Sequence, residues 1–432
     1  MPLSRVSPVS RSLFALTLCS LAAAAVAQPK QVVKPPESQA WIDVATFGGM
    51  GLPMGMGGMG GAGGGGGAAG AMAMLGNLLG GGQGTNSFGQ TQAMSPGRWV
   101  DVTLYTKHNP QLEAAVQNVP AGFLSPALQL QSPPPARAKP APDPNDERPT
   151  EVEHERPKGK MLLYWGCGEK IRPGQPRVVD FATATPADMA KFFQSRRATQ
   201  RGTHAAVGRP LWPSKDDPRM VPAGASLVGE HSFSGNGVPE GFRFQLGAAQ
   251  DLMPPIKIKQ KDDAGVMRLE WAALPTARAY FIAGMGAQAK GKDRDEAEMV
   301  IWTSSEQPDI GFGLLDYQTN PAVDRWLKEQ VLLAPQTTQC AVPKGVFTGQ
   351  GGMLRMIAYG NELNLAHPPR PTDPKVPWEP VWAAKVRVKS VSMAMLGMEM
   401  PEEEAPEAAP GKPAPDNKKP GVGDVLRGLF GR

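Results

Sequence analysis

Two stretches of this chain cannot form a packed core by themselves, and they set its organisation. Residues 48–96 carry "GGMGLPMGMGGMGGAGGGGGAAG", about half glycine, and residues 132–158 read "SPPPARAKPAPDPNDERPTEVEHERPK". Glycine loses the most conformational freedom on ordering and has no side chain to bury, while a charged, proline-rich segment stays extended and hydrated. The cores must come from what lies between them, and at 41% hydrophobic over 432 residues the material is sufficient.

A duplicated motif frames the glycine-rich insertion. "AWIDVAT" (40–46) and "RWVDVTL" (98–104) share W-(I/V)-D-V, with the alternation and β-branching of half-buried strands. They are expected to be adjacent strands, with 48–96 extruded between them. Further strand candidates are "ALQLQ" (127–131), "GKMLLYWGCG" (159–168), "GFRFQL", "IKIKQ", "VMRLEWAALPTARAYFIAGMGA", "EMVIWTSSE" and "GMLRMIAYGNELN". In "VWAAKVRVKSVSM" (381–393), Lys385, Arg387 and Lys389 alternate with Val386 and Val388, which reads as a closing strand with one wet and one buried face. Two helices have start signals. Thr185 is the expected N-cap of a helix over 185–201, with Pro186 at N1, Asp188 at N3 and Met189, Phe192 and Phe193 on one face. Asn320 is the expected N-cap of a helix over 321–333 that shares Val323, Trp326, Leu327 and Val331 on one face. Arg196, Arg197 and Arg201 read as a solvated charged helix end.

The expected fold is mainly β: two β-sandwich-like domains, a few short helices, disordered Gly/Met-rich and Pro-rich insertions, and a disordered C-terminal tail. The first domain comprises 28–47 and 97–182, interrupted by 48–96 and by the linker 132–158. After the helix come a β segment over 209–262, a second domain over 264–393, and a tail over 394–432. Within the second domain, "LEWAALPTARAYFIA" (269–283) resembles the opening strands of fibronectin type III and related immunoglobulin-like domains, where a Trp and a Tyr on successive strands meet across a small core. The resemblance covers about residues 265–303, implies a sandwich and implies no activity.

The N-terminus reads as a signal peptide over 1–27. Arg5 and Arg11 form a basic region, 13–25 an apolar stretch too short to span a bilayer, and Ala25-Val26-Ala27 a cleavage site. Cys19 follows Leu18, where a lipoprotein signal would place a small residue, so a secreted or periplasmic protein is expected after cleavage near Ala27. No later run suggests a transmembrane span. Removing the signal leaves 43 Lys+Arg against 40 Asp+Glu, a net charge of about +3, too weak for a nucleic-acid footprint. Cys167 and Cys340 remain, and an even pair in an oxidising compartment reads as a disulfide.

Enzyme signals are poor. His108, His154, His204, His231 and His367 are scattered singly, with no H-x-x-H. "GEHSFSGNG" is not a G-x-S-x-G elbow and reads as a turn; Asp216-Asp217 and Asp262-Asp263 read as turn and solubility residues. The glycine tract lacks the G-K-(S/T) of a phosphate loop. Methionine offers two other patterns. Met54, Met56 and Met59 have the spacing M-x-M-x-x-M, and Met393, Met395 and Met398 repeat it within a second copy of the word MAMLG, a soft-ligand pattern suited to Cu(I). "MLGNLLG" (74–80) and "VLRGLFG" (425–431) share apolar pairs ending in Gly, so Leu426, Leu429 and Phe430 read as a tethered docking segment. The function expected is a non-catalytic envelope protein that binds or scaffolds an unknown envelope partner or surface ligand, without a cofactor. The alternatives are a hydrolase assembled from loops and Cu(I) binding.

Overall fold

The computed structural model describes residues 31–49, 86–93, 95–135, 159–196, 202–289, 297–348 and 352–397. Two sheets hold nearly all of its regular structure. In chain order the elements begin with β1 (Ser38–Gly49), helix α1 (Gln90–Ala93), β2 (Gly97–Thr106), β3 (Ala114–Asn118), β4 (Leu128–Gln131), β5 (Lys160–Trp165) and β6 (Arg177–Asp180). There follow helix α2 (Pro186–Phe192), β7 (Leu211–Trp212), β8 (Gly229–Gly235), β9 (Arg243–Leu246), β10 (Lys259–Asp263), β11 (Val266–Glu270), β12 (Ala279–Ala289) and β13 (Ala297–Thr303). Helix α3 (Asn320–Lys328), β14 (Gln339–Val342), β15 (Met353–Tyr359), β16 (Leu363–His367) and β17 (Trp382–Met395) complete the chain.

The main sheet has 14 strands, ordered β6-β5-β13-β12-β15-β17-β1-β2-β7-β4-β3-β8-β9, with β16 also paired to β17; β10, β11 and β14 make a second sheet. Segments that the sequence assigns to separate units thus share one hydrogen-bonded sheet, with β5 beside β13 and β1 beside β17. The W-(I/V)-D-V copies are adjacent antiparallel strands, as expected, with Ile42 opposite Val102.

β1 is central, parallel to β17 and antiparallel to β2. Both its faces are covered, so the strand expected to be half-buried is buried along nearly its whole length, Asp43 and Thr46 included. Ile42 and Val44 pack on one side with Val102, Val386, Val388 and the small sheet's Leu269 and Val342. On the other, Ala45 and Phe47 pack with Phe281, Ile357, Tyr359 and the α3 residues Val323 and Trp326. Trp271 and Tyr280 meet edge to face, ring centroids 5.8 Å apart.

Both helices are shorter than their sequence patterns predict. α2 has the full capping box, Thr185 and Asp188 each bonding the other's backbone N–H. It ends at Phe192 rather than 201 because tertiary contacts take over: the Arg196 N–H donates to Phe312 O, and its guanidinium pairs with Asp309 at 2.6 Å and Glu329 at 2.7 Å. Arg196 is therefore an ion-paired anchor, not a solvated end; Arg197 and Arg201 lie outside the described residues. α3 starts one residue earlier, capped by Thr319, and stops at Lys328. Gln330 turns left-handed (φ 57), and the reversal still delivers Val331 to the same core as Val323 and Trp326.

The insertion is also shorter than 48–96. Gly48 and Gly49 belong to β1, and Asn86 and Thr91 are buried against the sheet. "GEHSFSG" is strand β8, not a turn, because His231 and Phe233 alternate inward against Ser232 and Ser234.

Candidate functional site

The charged residues of the three central strands form a buried ladder. Asp101 of β2 stands directly opposite Asp43 of β1, and Asp43 directly opposite Arg387 of β17. Both carboxylates are 1% exposed. Arg387 grips Asp43 with two bonds of 2.6 Å, from Nε to Oδ1 and from Nη2 to Oδ2. One row along the same face, Lys389 donates to Asp316 at 2.8 Å. The ring of Tyr317 lies against both cations, 4.3 Å from the Arg387 guanidinium and 4.2 Å from Lys389 Nζ, and its hydroxyl donates to Val44 O at 3.0 Å. The expected wet face of β17 is therefore buried: Arg387 is 4% and Lys389 1% exposed. An alternating K-x-R-x-K pattern shows that one face is charged but not what covers it, and here the 309–318 segment brings Asp316 and Tyr317 as partners.

Each carboxylate holds a loop. Asp43 Oδ2 accepts from Thr203 N at 3.0 Å and Thr203 Oγ1 at 2.7 Å. The Gly202 backbone lies so close that a Cβ there would sit 1.6 Å from Arg387 Nη2. Asp101 accepts from Gly89 N at 2.9 Å, Thr91 N at 3.2 Å and the Thr91 hydroxyl, which pins the end of the glycine-rich insertion to the sheet.

Burial and charge act against one another in this ladder. Burial, opposed by its hydrogen bonds and aided by the neighbouring Asp43 charge, pushes the Asp101 carboxyl up to about 6. Burial disfavours the Arg387 cation, but the charge and hydrogen bonds of Asp43 outweigh it and raise its pKa. Lys389 is lowered by burial despite Asp316. For Asp316 burial raises the pKa, yet Lys389 wins and the net shift is downward. Tyr317 is pushed well above its ordinary value, by burial first and Asp43 second. Chemically the array resembles a keystone: at 1% exposure neither carboxylate is open to a substrate arriving from solvent.

The remaining sequence-derived candidates are dispersed. Cys167 and Cys340 are disulfide-bonded across a separation of 173 residues and tie the β5 end of the main sheet to β14 of the small one. His231 is fully buried, bonded to Gln117 Nε2 and Leu227 O, and held below its ordinary pKa by burial. Ser232 and Ser234 instead line a surface cavity of about 450 Å³ with Glu240 and Arg243, so no serine–histidine pair forms there. Asp217 is not a solubility residue: it is 4% exposed and paired with Arg219 at 2.5 Å and 2.6 Å. Asp262 and Asp263 are the last two residues of β10, not turn residues, though Asp262 accepts from Gly265 N in the β10–β11 turn that follows. Among the described residues no group of His, Cys, Asp and Glu is arranged to hold a metal ion.

Met393 and Met395 lie in β17. Two methionines missed at the sequence level, Met285 and Met353, stand in register with Met395; their partnership is set by strand order, which no local spacing encodes. Met54, Met56, Met59, Met398, Leu426, Leu429 and Phe430 lie outside the described residues, as do residues 1–30. No described helix is long and apolar enough to cross a membrane. No protein-family model, curated protein or solved structure matches the chain.

Proposed function

We propose that this chain is an exported, non-catalytic protein that binds or scaffolds a partner in the cell envelope. The observation that carries the reading is how the core spends its ionisable groups. Asp43, Asp316, Arg387 and Lys389 neutralise one another, Asp43 and Asp101 also clasp the 202–204 and 89–91 loops, and Asp217 is held by Arg219. Catalysis needs such groups poised and accessible, whereas these stabilise a platform from which the 50–85 and 398–432 segments depart. The disulfide supports an oxidising destination, and the signal-like N-terminus supplies the route. The hydrolase alternative requires an open cluster of Asp, His or Ser, whereas Asp43 and Asp101 are closed and the more exposed Asp316 is ion-paired with Lys389.

The test is expression with the native N-terminus, followed by fractionation and crosslinked pull-down from the envelope. A mature chain starting near Gln28 without free thiols is expected, with a partner captured by the full chain and lost when 50–85 or 398–432 is deleted. An uncleaved cytoplasmic chain, or partners unaffected by both deletions, would sink the proposal.

A further inference from the structure

β1, which precedes the first M-x-M-x-x-M word in the sequence, and β17, which carries the start of the second, are neighbours in the main sheet. β1 and β17 run parallel and in register as far as Gly49 beside Met393. β1 ends at Gly49 and β17 at Met395, so the two strands end near one another at this rim. At the same rim Met285 of β12 is directly opposite Met353 of β15, and Met353 is directly opposite Met395 of β17. Residues so paired share a face, with Cβ atoms about 4.5–5.5 Å apart on adjacent strands. Three thioethers thus stand in a row on three successive strands. The next row inward is Ala283, Arg355 and Met393, which places Met393 behind Met395 on that face.

Exposure rises toward the rim. Met393 is 4% exposed, Met353 and Met395 are half-buried, and Met285 is 40% exposed. The row is therefore partly open to solvent, with the Ala283–Arg355–Met393 row on its inner side.

We propose that Met285, Met353 and Met395 form a Cu(I) site of three thioether ligands. Thioether sulfur is soft and neutral, which suits a soft monovalent ion and offers nothing to a hard dication that needs carboxylates. Arg355, one row in, carries a positive charge that repels any cation but opposes a dication about twice as strongly as a monocation. The outer two methionines sit one strand, about 4.7–4.9 Å, to either side of Met353, and three rotatable bonds in each side chain let the sulfurs converge above it. The ion enters and leaves as Cu(I), with no redox step. This deepens the binding reading by naming an ion, and it is tested separately from the envelope pull-down, so either can fail alone.

The test is anaerobic titration of the mature full-length chain with Cu(I) against a competing chromophoric chelator. Three proteins are compared: wild type, Met285→Leu/Met353→Leu/Met395→Leu, and Met54→Leu/Met56→Leu/Met59→Leu/Met398→Leu. Leucine is close in volume to methionine, so the fold should tolerate the changes. Losing ligands should weaken binding at least as much as losing an outer-shell partner, about tenfold or more. That loss is expected in the first variant and not in the second. If the first variant melts early, methionine methyl NMR of the wild type with Ag(I) decides instead: resonances of Met285, Met353 and Met395 should shift together at one equivalent. Unchanged affinity in the first variant, loss confined to the second, or methyl shifts that spare these three residues would overturn the site.

Discussion

Removing Asp43 while keeping Arg387 should be among the most damaging single changes available to this fold. The pair is sealed, with side chains 2% and 5% exposed, and the arginine has two 2.6 Å bonds to the carboxylate. In Asp43→Leu the guanidinium stays buried beneath Tyr317 without its anion, a situation that costs about 3–5 kcal/mol. Thr203 N–H loses its acceptor as well, and a buried unsatisfied donor costs about 1–3 kcal/mol. In Asp43→Leu/Arg387→Met the buried charge is gone along with its anion, and the Thr203 deficit and the lost contact with Tyr317 are among the costs that remain. The double variant should then be more stable than Asp43→Leu alone, lying within about 1–3 kcal/mol of wild type. Urea unfolding of the oxidised mature chain, followed by tryptophan fluorescence, measures all three midpoints, and an unchanged slope licenses the comparison. A single variant within about 1 kcal/mol of wild type, or strictly additive effects in the double, would show that the pair does not hold the central strands together.

Three other perturbations test neighbouring parts of the same reasoning. Gly202→Ala drives a methyl into the Arg387–Asp43 pair and should cost about 1–3 kcal/mol by overpacking, read as a lower urea midpoint; no change would mean that the 202–204 loop is not seated on the pair. Asp101, raised from 3.8 to about 6, holds a proton in the folded state that the unfolded chain has already lost. Its contribution is therefore full below 3.8 and fades as pH rises through about 6, a change on the order of 3 kcal/mol; Asp101→Asn should flatten the stability profile in that window, and an unaltered slope would refute the assignment. Cys340→Ser opens a loop of 173 residues and should lower stability by on the order of 5 kcal/mol in the chain-entropy account, seen as a fall in melting temperature that reductant reproduces in wild type but not in the variant.

Much of the fold was legible in the sequence because local patterns carry it. Period-two alternation marked the strands, the shared W-(I/V)-D-V placed β1 beside β2, Thr185 and Pro186 started α2, and two cysteines sufficed to propose one bond. Legibility ended where a side chain's meaning depends on what covers it. Alternating Lys385, Arg387 and Lys389 looked wet, and Asp217 looked like a loop residue, because nothing nearby in the chain announces Asp316, Tyr317 or Arg219 as partners. Helix ends failed for the same reason: Arg196 leaves α2 for Asp309, 113 residues further on.

By itself the sequence determined that this protein is mainly β, that glycine- and proline-rich segments divide it, and which residues are rich in β propensity or able to cap a helix. These are properties of short windows, and short-range physics sets them. Only the tertiary structure decided that β17 pairs with β1, that three aspartates and two cations meet beneath Tyr317, and that Met285, Met353 and Met395 share a row. Those facts depend on strand order, and strand order is chosen by burying both faces of the central strands at once, a constraint that acts over the whole chain and leaves no local mark.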